Sequence, residues 1–243
     1  MELRGRAALV TGAGRRVGRA IALALGAQGM HVGVHYGASA AGARETAAEI
    51  ERAGGRATCF PADLTEPDSP AALIDAAVGR LGRLDVLVNS AAVMVRTPVG
   101  NVTPAAWDEM FALNLRAPFF AAQAAAPHLA REQGAIVNLA DLAAFETWPG
   151  YVPHGITKAG VVQMTRALAR TLAPDVRVNA VAPGTVLLPE SWPDDAAERL
   201  AATTPLRRLG SPDDVTRTIL FLLASDYITG ETIIVDGGRH VRR

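Results

Sequence analysis

The chain has 243 residues, 49% hydrophobic and 20% charged, which is enough apolar sequence to bury the core of one large domain. Its 24 basic and 24 acidic residues cancel, so the charge gives no sign of a surface for nucleic acid or an anionic membrane. A single cysteine, Cys59, excludes an internal disulfide and a cysteine-based zinc site. The first residues lack a signal-peptide pattern and no apolar run is long enough to span a bilayer, so we expect a cytoplasmic protein.

Short apolar segments alternate with longer amphipathic segments along the whole chain. Seven segments are typical of buried strands: Ala7–Thr11, Met30–His35, Ala57–Phe60, Val86–Val88, Ala135–Leu139, Arg177–Val181 and Thr232–Val235. Helical patterns begin between them, near Arg16, Ala41, Ser69, Ala105, Tyr151 and Pro212. Strands that are apolar on both faces and separated by helices indicate a parallel sheet with both faces covered. We therefore predict one α/β domain over residues 1–243, a Rossmann-type doubly wound sheet of seven parallel strands with helices on both faces.

The first predicted strand ends in a glycine-rich turn, Thr11–Gly18, that leads into a helix. Glycine permits a tight turn and a close approach of backbone to a pyrophosphate, and the helix N-terminus supplies N–H donors. The position of this turn after the first strand predicts a dinucleotide site. Its expected residues are Gly12, Gly14, Arg15, Arg16, Val17 and Gly18.

The end of the second strand lacks the acid that commonly binds the ribose 2′-hydroxyl of NAD. It reads His35-Tyr36-Gly37-Ala38-Ser39, and the next acid is Glu45, inside a helix. Because no carboxylate would repel a 2′-phosphate here, we predict NADP(H) as the cofactor. Arg16, Ser39 and His35 are the expected phosphate ligands. The alternative is that the arginines of the turn form only a solvated helix face.

Two further features stand out. Of the 24 basic residues, 23 are arginine and one, Lys158, is lysine. Guanidinium is effectively never deprotonated, so a retained lysine suggests a role that needs an ammonium group, although chance survival would also explain it. The segment Thr185–Thr204, rich in Pro, Asp and Glu, follows the sixth strand, where a substrate lid would lie.

These motifs together resemble the short-chain dehydrogenase/reductase family, and the resemblance covers nearly the whole chain. Asn89–Ala92 is similar to the family's turn after strand four, and Asp236–Gly238 to its closing turn. Asn114 and Lys158 fall on its catalytic asparagine and lysine. The resemblance implies a homotetramer and further cofactor contacts at Tyr36, Asp63, Leu64, Asn89, Ser90, Ala91, Lys158, Pro183 and Gly184.

Within that family, three features resemble the pteridine reductases: Arg16, the sequence His35–Ser39, and Asp141 where most members carry serine. The resemblance implies NADPH-dependent reduction of a C=N bond in a dihydropterin or dihydrofolate. Two positions depart from the pattern. His154 stands where the family has its tyrosine acid, and Met94 replaces the aromatic ring on which pteridine reductases stack their substrate.

Hydride transfer to a C=N or C=O carbon leaves charge that needs a proton. His154 and Lys158 are four residues apart and share a helix face, and Asp141 leaves the fifth strand at the same edge. We expect Asp141 and His154 to act together as the acid. The alternatives are Asp141 alone with a raised pKa, Tyr151 as the donor, or a site disabled by the histidine. Pro118 lacks an N–H and so frees the main-chain carbonyl of Asn114, which the family resemblance implies holds a water.

The substrate is expected to be a small molecule that contacts Met94, Asp141, Trp148 and Leu188. No pair of histidines has metal-ligand spacing, so no metal is expected. The first functional hypothesis is a pteridine reductase. The alternatives are a reductase of 3-oxoacyl thioesters or other ketones, and a catalytically silent oligomer that binds NADP(H).

Overall fold

The computed structural model describes residues 1–188 and 195–241. In these ranges one sheet contains seven parallel strands in the order β3-β2-β1-β4-β5-β6-β7. The strands are β1 (Ala7–Val10), β2 (His31–Tyr36), β3 (Arg56–Pro61), β4 (Val86–Asn89), β5 (Ala135–Leu139), β6 (Arg177–Pro183) and β7 (Thr232–Val235). The predicted doubly wound α/β fold is confirmed, and β5 and β7 have the predicted bounds.

The helices are α1 (Arg16–Ala27), α2 (Ala40–Arg52), α3 (Ser69–Leu81), α4 (Pro104–Phe111), α5 (Ala117–Arg131), α6 (Val152–Leu172), α7 (Ala196–Thr203) and α8 (Pro212–Ala224). The helix α7 lies inside the expected lid and has no counterpart in the sequence prediction. Of that lid, residues 189–194, with Trp192 among them, lie outside the described residues.

The two faces of the sheet carry separate apolar cores. Val10 of β1 packs in a cluster with residues of α1, α2 and α8, whereas its neighbour Leu9 packs in a second cluster with residues of α3 and α5. This alternation follows from the two-residue repeat of a strand, and helices on both faces explain why the strands are apolar throughout. No helix among the described residues is both long and apolar enough to cross a membrane.

The topology fixes where chemistry can occur. The strand order runs outward from β1 on one side and from β4 on the other, so the connections that follow these two strands leave on opposite faces of the sheet and form a crevice at the switch point. The glycine turn, the loop after β4, Asp141 and Gly184 all follow carboxyl ends of parallel strands, and they therefore lie along one edge of the sheet.

Candidate active site

A cavity of about 1000 Å³ lies at the carboxyl ends of β1, β2 and β3. It is lined by most of the expected cofactor residues: Gly12, Gly14, Arg15, Arg16, Val17, Gly18, His35, Tyr36, Ser39, Asp63, Leu64, Ser90 and Ala91. Asn89 is not among the lining residues, because its buried Nδ2 donates to Asn138 Oδ1 at 2.9 Å. The helix α1 begins at the wall of this cavity. The N-terminus of a helix presents N–H donors that bind an anion.

The glycine turn is shaped by close backbone packing. Gly12 has φ +67°, and a Cβ there would lie 2.9 Å from Cα of Ala91. A Cβ on Gly18 would lie 2.2 Å from the carbonyl oxygen of Gly12. Thr11 Oγ1 accepts the N–H groups of Ser90 and Ala91 at 2.9 and 3.0 Å, which ties this turn to the loop after β4. The cavity wall is thus backbone held at a distance that side chains would not allow.

His35 is placed differently from the expectation that it binds a phosphate. Its Nδ1 accepts the N–H of Gly12 at 3.1 Å, and its Nε2 lies 3.1 Å from the carbonyl oxygen of Ala62. Burial lowers the pKa of His35 below its ordinary value, against the opposing effect of the Ala62 hydrogen bond. His35 is therefore a neutral ring that joins the first turn to the end of β3, and it has no free donor for a phosphate.

Arg16 also departs from its expected role. Its backbone has φ +51°, in the left-handed region, and its Nη2 and Nη1 donate to the carbonyl oxygens of Leu187 and Leu188 at 2.8 and 3.3 Å. The guanidinium therefore reaches toward the lid. Arg15, the preceding residue, lines the first cavity and is exposed, and its guanidinium has no hydrogen-bond partner among the described residues. Arg15 and Arg16 both line the first cavity, and of the two guanidinium groups that of Arg16 is already bound by backbone carbonyls.

A second cavity, of about 360 Å³, adjoins the first and shares Arg16 and Val17 with it. All four expected substrate residues line it: Met94, Asp141, Trp148 and Leu188. Pro183 and Gly184, which were expected at the cofactor, line this second cavity, and Tyr151 does too. The structure thus brings together residues from four separate segments of the sequence.

Asp141 and His154 form a close pair at the wall of the second cavity. His154 Nε2 lies 2.6 Å from Asp141 Oδ2, and Asp141 Oδ1 accepts the N–H of Ala143 at 2.8 Å. The side chain of Asp141 is 22% exposed, whereas that of His154 is 2% exposed. The carboxylate therefore faces the cavity and the imidazole lies behind it.

The other ring nitrogen of His154 also faces an acceptor. Its Nδ1 lies 3.2 Å from the carbonyl oxygen of Val93, with the Nδ2 of Asn114 farther away at 3.4 Å. The two ring nitrogens of His154 are thus held between Asp141 and the loop after β4.

Several groups act on the charge of Asp141. Burial favours its neutral form, but the hydrogen bond from His154, the charge on Lys158 and the N–H of Ala143 outweigh burial and lower the pKa of Asp141 below its ordinary value. The alternative in which Asp141 acts alone with a raised pKa does not match this direction.

Lys158 and Asn114 lie beneath the two cavities. Lys158 Nζ donates to the carbonyl oxygen of Leu139 at 2.8 Å, and burial lowers the pKa of this lysine although Asp141 raises it. Asn114 exchanges two hydrogen bonds of 2.9 Å with the backbone of Val93. Neither residue lines either cavity, and Asn114 holds the Val93 carbonyl that faces His154.

The helix around Asn114 contains a π-helical turn over Ala112–Arg116, between α4 and α5. A proline at position 118 predicts an unpaired carbonyl but does not reveal this local widening of the helix. Turns of this type are frequent at functional sites, and here the turn carries the asparagine under the active-site wall.

Sequence reasoning missed one charged residue of the second cavity, Arg239. It follows the closing turn after β7, whose motif was identified, but nothing local indicates that its side chain points back to the site. Its contact residue Glu146 was also missed.

The chain is similar to known proteins over nearly its whole length. Residues 12–240 match the family model described as enoyl-(acyl carrier protein) reductase. The chain is 37% identical over 243 residues to the 3-oxoacyl-[acyl-carrier-protein] reductase FabG of Staphylococcus aureus, covering 97% of this chain and 98% of that protein. It is 36% identical over 250 residues to 3beta-hydroxysteroid dehydrogenase 1 of Eggerthella lenta, covering 98% and 94%.

Among solved structures, the angucycline C-6 ketoreductase LanV with bound NADP superposes with a TM-score of 0.92 at 34% identity, covering 99% of this chain and 98% of that one. The matched length and identity show that the chain belongs to the short-chain dehydrogenase/reductase family, as the sequence resemblance indicated.

Proposed function

We propose that this protein is an NADPH-dependent reductase of ketones, and that the Asp141–His154 pair supplies the proton. The observation that carries the proposal is the 2.6 Å contact between His154 Nε2 and Asp141 Oδ2 at the wall of the second cavity. A 3-oxoacyl reductase, a hydroxysteroid dehydrogenase and a ketoreductase are among the relatives, and each name denotes chemistry between a carbonyl and an alcohol. This support favours the ketone alternative over the pteridine hypothesis.

The first cavity fits NADPH. The glycines of the turn leave backbone where a Cβ would clash, the helix α1 begins at the cavity, and no acid follows β2 before Glu45. Arg15, at this turn, supplies a guanidinium without a partner among the described residues, and Ser39 adds a hydroxyl. The LanV structure, which holds NADP, supports the same choice of cofactor.

When bound, NADPH supplies the hydride, and the chain must supply the proton. As the carbonyl oxygen gains negative charge it needs a proton from a group at the cavity wall. Asp141 is the exposed member of the pair and contacts the substrate, whereas His154 holds the proton behind it. The Nε2 proton of His154 passes to Asp141, and the carboxyl proton of Asp141 passes to the substrate oxygen, which leaves a neutral imidazole, a carboxylate and an alcohol. One proton taken up from solvent then restores the imidazolium in each turnover.

Lys158 and Asn114 have positioning roles in this proposal. The ammonium of Lys158 stabilises the carboxylate form of Asp141 and so keeps the exchangeable proton on His154. Asn114 fixes the Val93 carbonyl that faces His154 Nδ1. The family role of Lys158, binding the nicotinamide ribose, stays a prediction.

The segment Thr185–Thr204 is proposed as the substrate lid. Its described beginning is held to the glycine turn by Arg16, and α7 contributes Leu200 to the cavity wall. This contact links the lid to the cofactor side of the site.

The proposal is tested by following NADPH oxidation with an acetoacetyl thioester, a cyclic ketone and dihydrobiopterin. The wild-type protein should reduce a ketone faster than dihydrobiopterin. His154→Phe should lose turnover, whereas His154→Tyr should keep it, because a phenol can replace the donor at this position. His128→Phe, which lines neither cavity, is the matched control and should behave as wild type. Turnover that survives in His154→Phe would contradict the proton assignment.

A dihydropterin reductase is the second candidate. It is favoured by Asp141 and Arg16, two residues of the pteridine reductase resemblance that both line the second cavity. Faster turnover of dihydrobiopterin than of every ketone would select it. Tight NADPH binding without any turnover would instead select the silent NADP(H)-binding oligomer.

Assembly into a homotetramer is proposed on the exposed aromatic side chains of Trp107, Phe119 and Phe120, carried by α4 and α5. Large exposed apolar side chains grouped on neighbouring helices are typical of an interface between copies. Light scattering of the purified protein measures the mass directly, and a monomer would contradict this assembly.

A further inference from the structure

The second cavity contains a guanidinium that the proposed mechanism does not use. Arg239 stands in a single 3-10 turn, Arg239–Val241, directly after the closing turn that follows β7. Its side chain is 15% exposed, although arginine is rarely buried without a strong partner. The low exposure of Arg239 therefore needs a physical explanation.

The backbone that carries Arg239 is firmly held. Asp236 accepts the N–H groups of Gly238 and His240 at 2.9 and 2.6 Å, and it also contacts the ring of His240 at 2.8 Å. Gly238 has φ +86°, and a Cβ there would lie 3.2 Å from Pro205, so the turn packs closely on the segment after α7. The direction of the Arg239 side chain is thus set by a fixed turn.

The guanidinium has fewer partners than it has donors. Nη1 donates to Thr185 Oγ1 at 3.2 Å, and Nη2 lies 3.4 Å from Glu146 Oε2, which already accepts the indole N–H of Trp148 at 2.9 Å. The buried Nε has no hydrogen-bond partner among the described residues, and the ring of Trp148 lies 5.8 Å from the guanidinium carbon. Guanidinium has five N–H donors, so residues 1–188 and 195–241 do not supply an acceptor for every one of them. An acceptor from a ligand would supply it.

The charges of the cavity favour an anionic acceptor. Arg16 lines the same cavity, whereas Asp141 is already engaged by His154 and by the N–H of Ala143. Most other lining side chains are apolar, which strengthens a charge-assisted hydrogen bond. Among small anions, a carboxylate matches the planar fork of guanidinium.

We propose that Arg239 is a specificity-determining residue that binds the carboxylate of an anionic ketone substrate. Glu146 and Trp148 orient the guanidinium, and Thr185 joins it to the start of the lid. The inference rests on the proposed function, because it assumes that the second cavity receives the ketone.

The test compares 4-acetylbenzoate with 4-acetylbenzamide, which have the same shape and ketone but differ in charge. Binding to the NADP⁺-loaded protein is measured by calorimetry, and kcat/KM by NADPH oxidation. The wild type should favour the carboxylate by about tenfold or more, as expected for one charge-assisted hydrogen bond. Arg239→Gln should lose this preference through KM while its value for the amide stays within about twofold. Arg239→Lys should retain part of the preference.

Arg217→Gln is the matched control, because Arg217 is an exposed arginine of α8 that pairs with Asp214 on the surface. It should keep the wild-type preference. Equal affinity of the wild type for both ligands, no binding of either, or a preference that survives in Arg239→Gln would overturn the inference. Failure of the proposed function has a different signature: no ketone is reduced, while calorimetry still shows whether Arg239 selects the carboxylate.

Discussion

The two cavities of this protein are built in different ways. The cofactor-side cavity is made largely of backbone: glycines at contact distance, a helix N-terminus and a threonine that joins two turns. The substrate-side cavity depends on paired side chains, namely Asp141 with His154 and Arg239 with Glu146, whose members are distant in sequence. A backbone site is specified by local motifs, whereas a side-chain site is specified by which segments the fold brings together.

The largest effect is expected for a substitution that changes the substrate-side cavity alone. Asp141→Asn keeps the shape of the side chain but removes the charge that pairs with His154 Nε2 at 2.6 Å. General acid–base catalysis contributes about 10²- to 10⁴-fold, so kcat should fall by about that factor. NADPH affinity, measured by fluorescence titration, should change by less than about twofold. A fall in NADPH affinity that matched the fall in kcat would mean that the two cavities are not separable.

The reverse experiment changes the backbone of the cofactor-side cavity. Gly12→Ala places a Cβ 2.9 Å from Cα of Ala91 at a residue with φ +67°. Strain of about 1–3 kcal/mol is expected for such a residue, which corresponds to roughly a 5- to 160-fold loss of NADPH affinity if the turn deforms to relieve it. Gly79→Ala is the control, because nothing lies within 4 Å of a Cβ there. Equal NADPH affinity in the two variants would contradict the backbone account of this cavity.

The sequence predicts where the two cavities lie, but it does not predict where every long side chain points. The sheet, the glycine turn and the missing acid after β2 follow from apolar periodicity and short motifs. Once the strand order is known, the positions of Asp141, His154 and Met94 along the chain also place these three residues at one edge of the sheet. The direction of long flexible side chains does not follow from local sequence: Arg16 turns toward Leu187, and Arg239 turns back into the cavity. His35 resembles a surface ligand in sequence but is buried by its neighbours Gly12 and Ala62.

Substitutions of two neighbouring arginines test which of the two cavities each side chain serves. Arg15→Gln should reduce the preference for NADPH over NADH by about tenfold, because a charge-assisted hydrogen bond to the 2′-phosphate is lost. Arg16→Gln should leave this preference unchanged and raise the KM of the ketone, because its guanidinium holds Leu187 and Leu188 of the lid. Steady-state kinetics with both nucleotides measures the two effects. If Arg16→Gln alone changes the nucleotide preference, the phosphate cation is Arg16, as the sequence suggests.

The smallest expected effect concerns the stability of the cofactor side against acid. Burial lowers the pKa of His35 below its ordinary value of 6.5. As the pH falls through about 6.5, the ring therefore binds a proton in the unfolded chain but stays neutral in the folded protein. The free energy of unfolding must then decrease with falling pH, by at most about 1.4 kcal/mol per pH unit for this one group, until the folded protein is protonated too.

His35→Gln can keep a donor for Ala62 and an acceptor for Gly12 but does not titrate, so its urea unfolding should depend less on pH between pH 7 and 5 than that of the wild type. His31→Gln is the comparison, because the pKa of His31 is also lowered by burial but its side chain is only partly buried; its effect should be smaller. A larger effect at His31 would show that the ring of His35 is not the neutral link between the first turn and β3 that its two contacts describe.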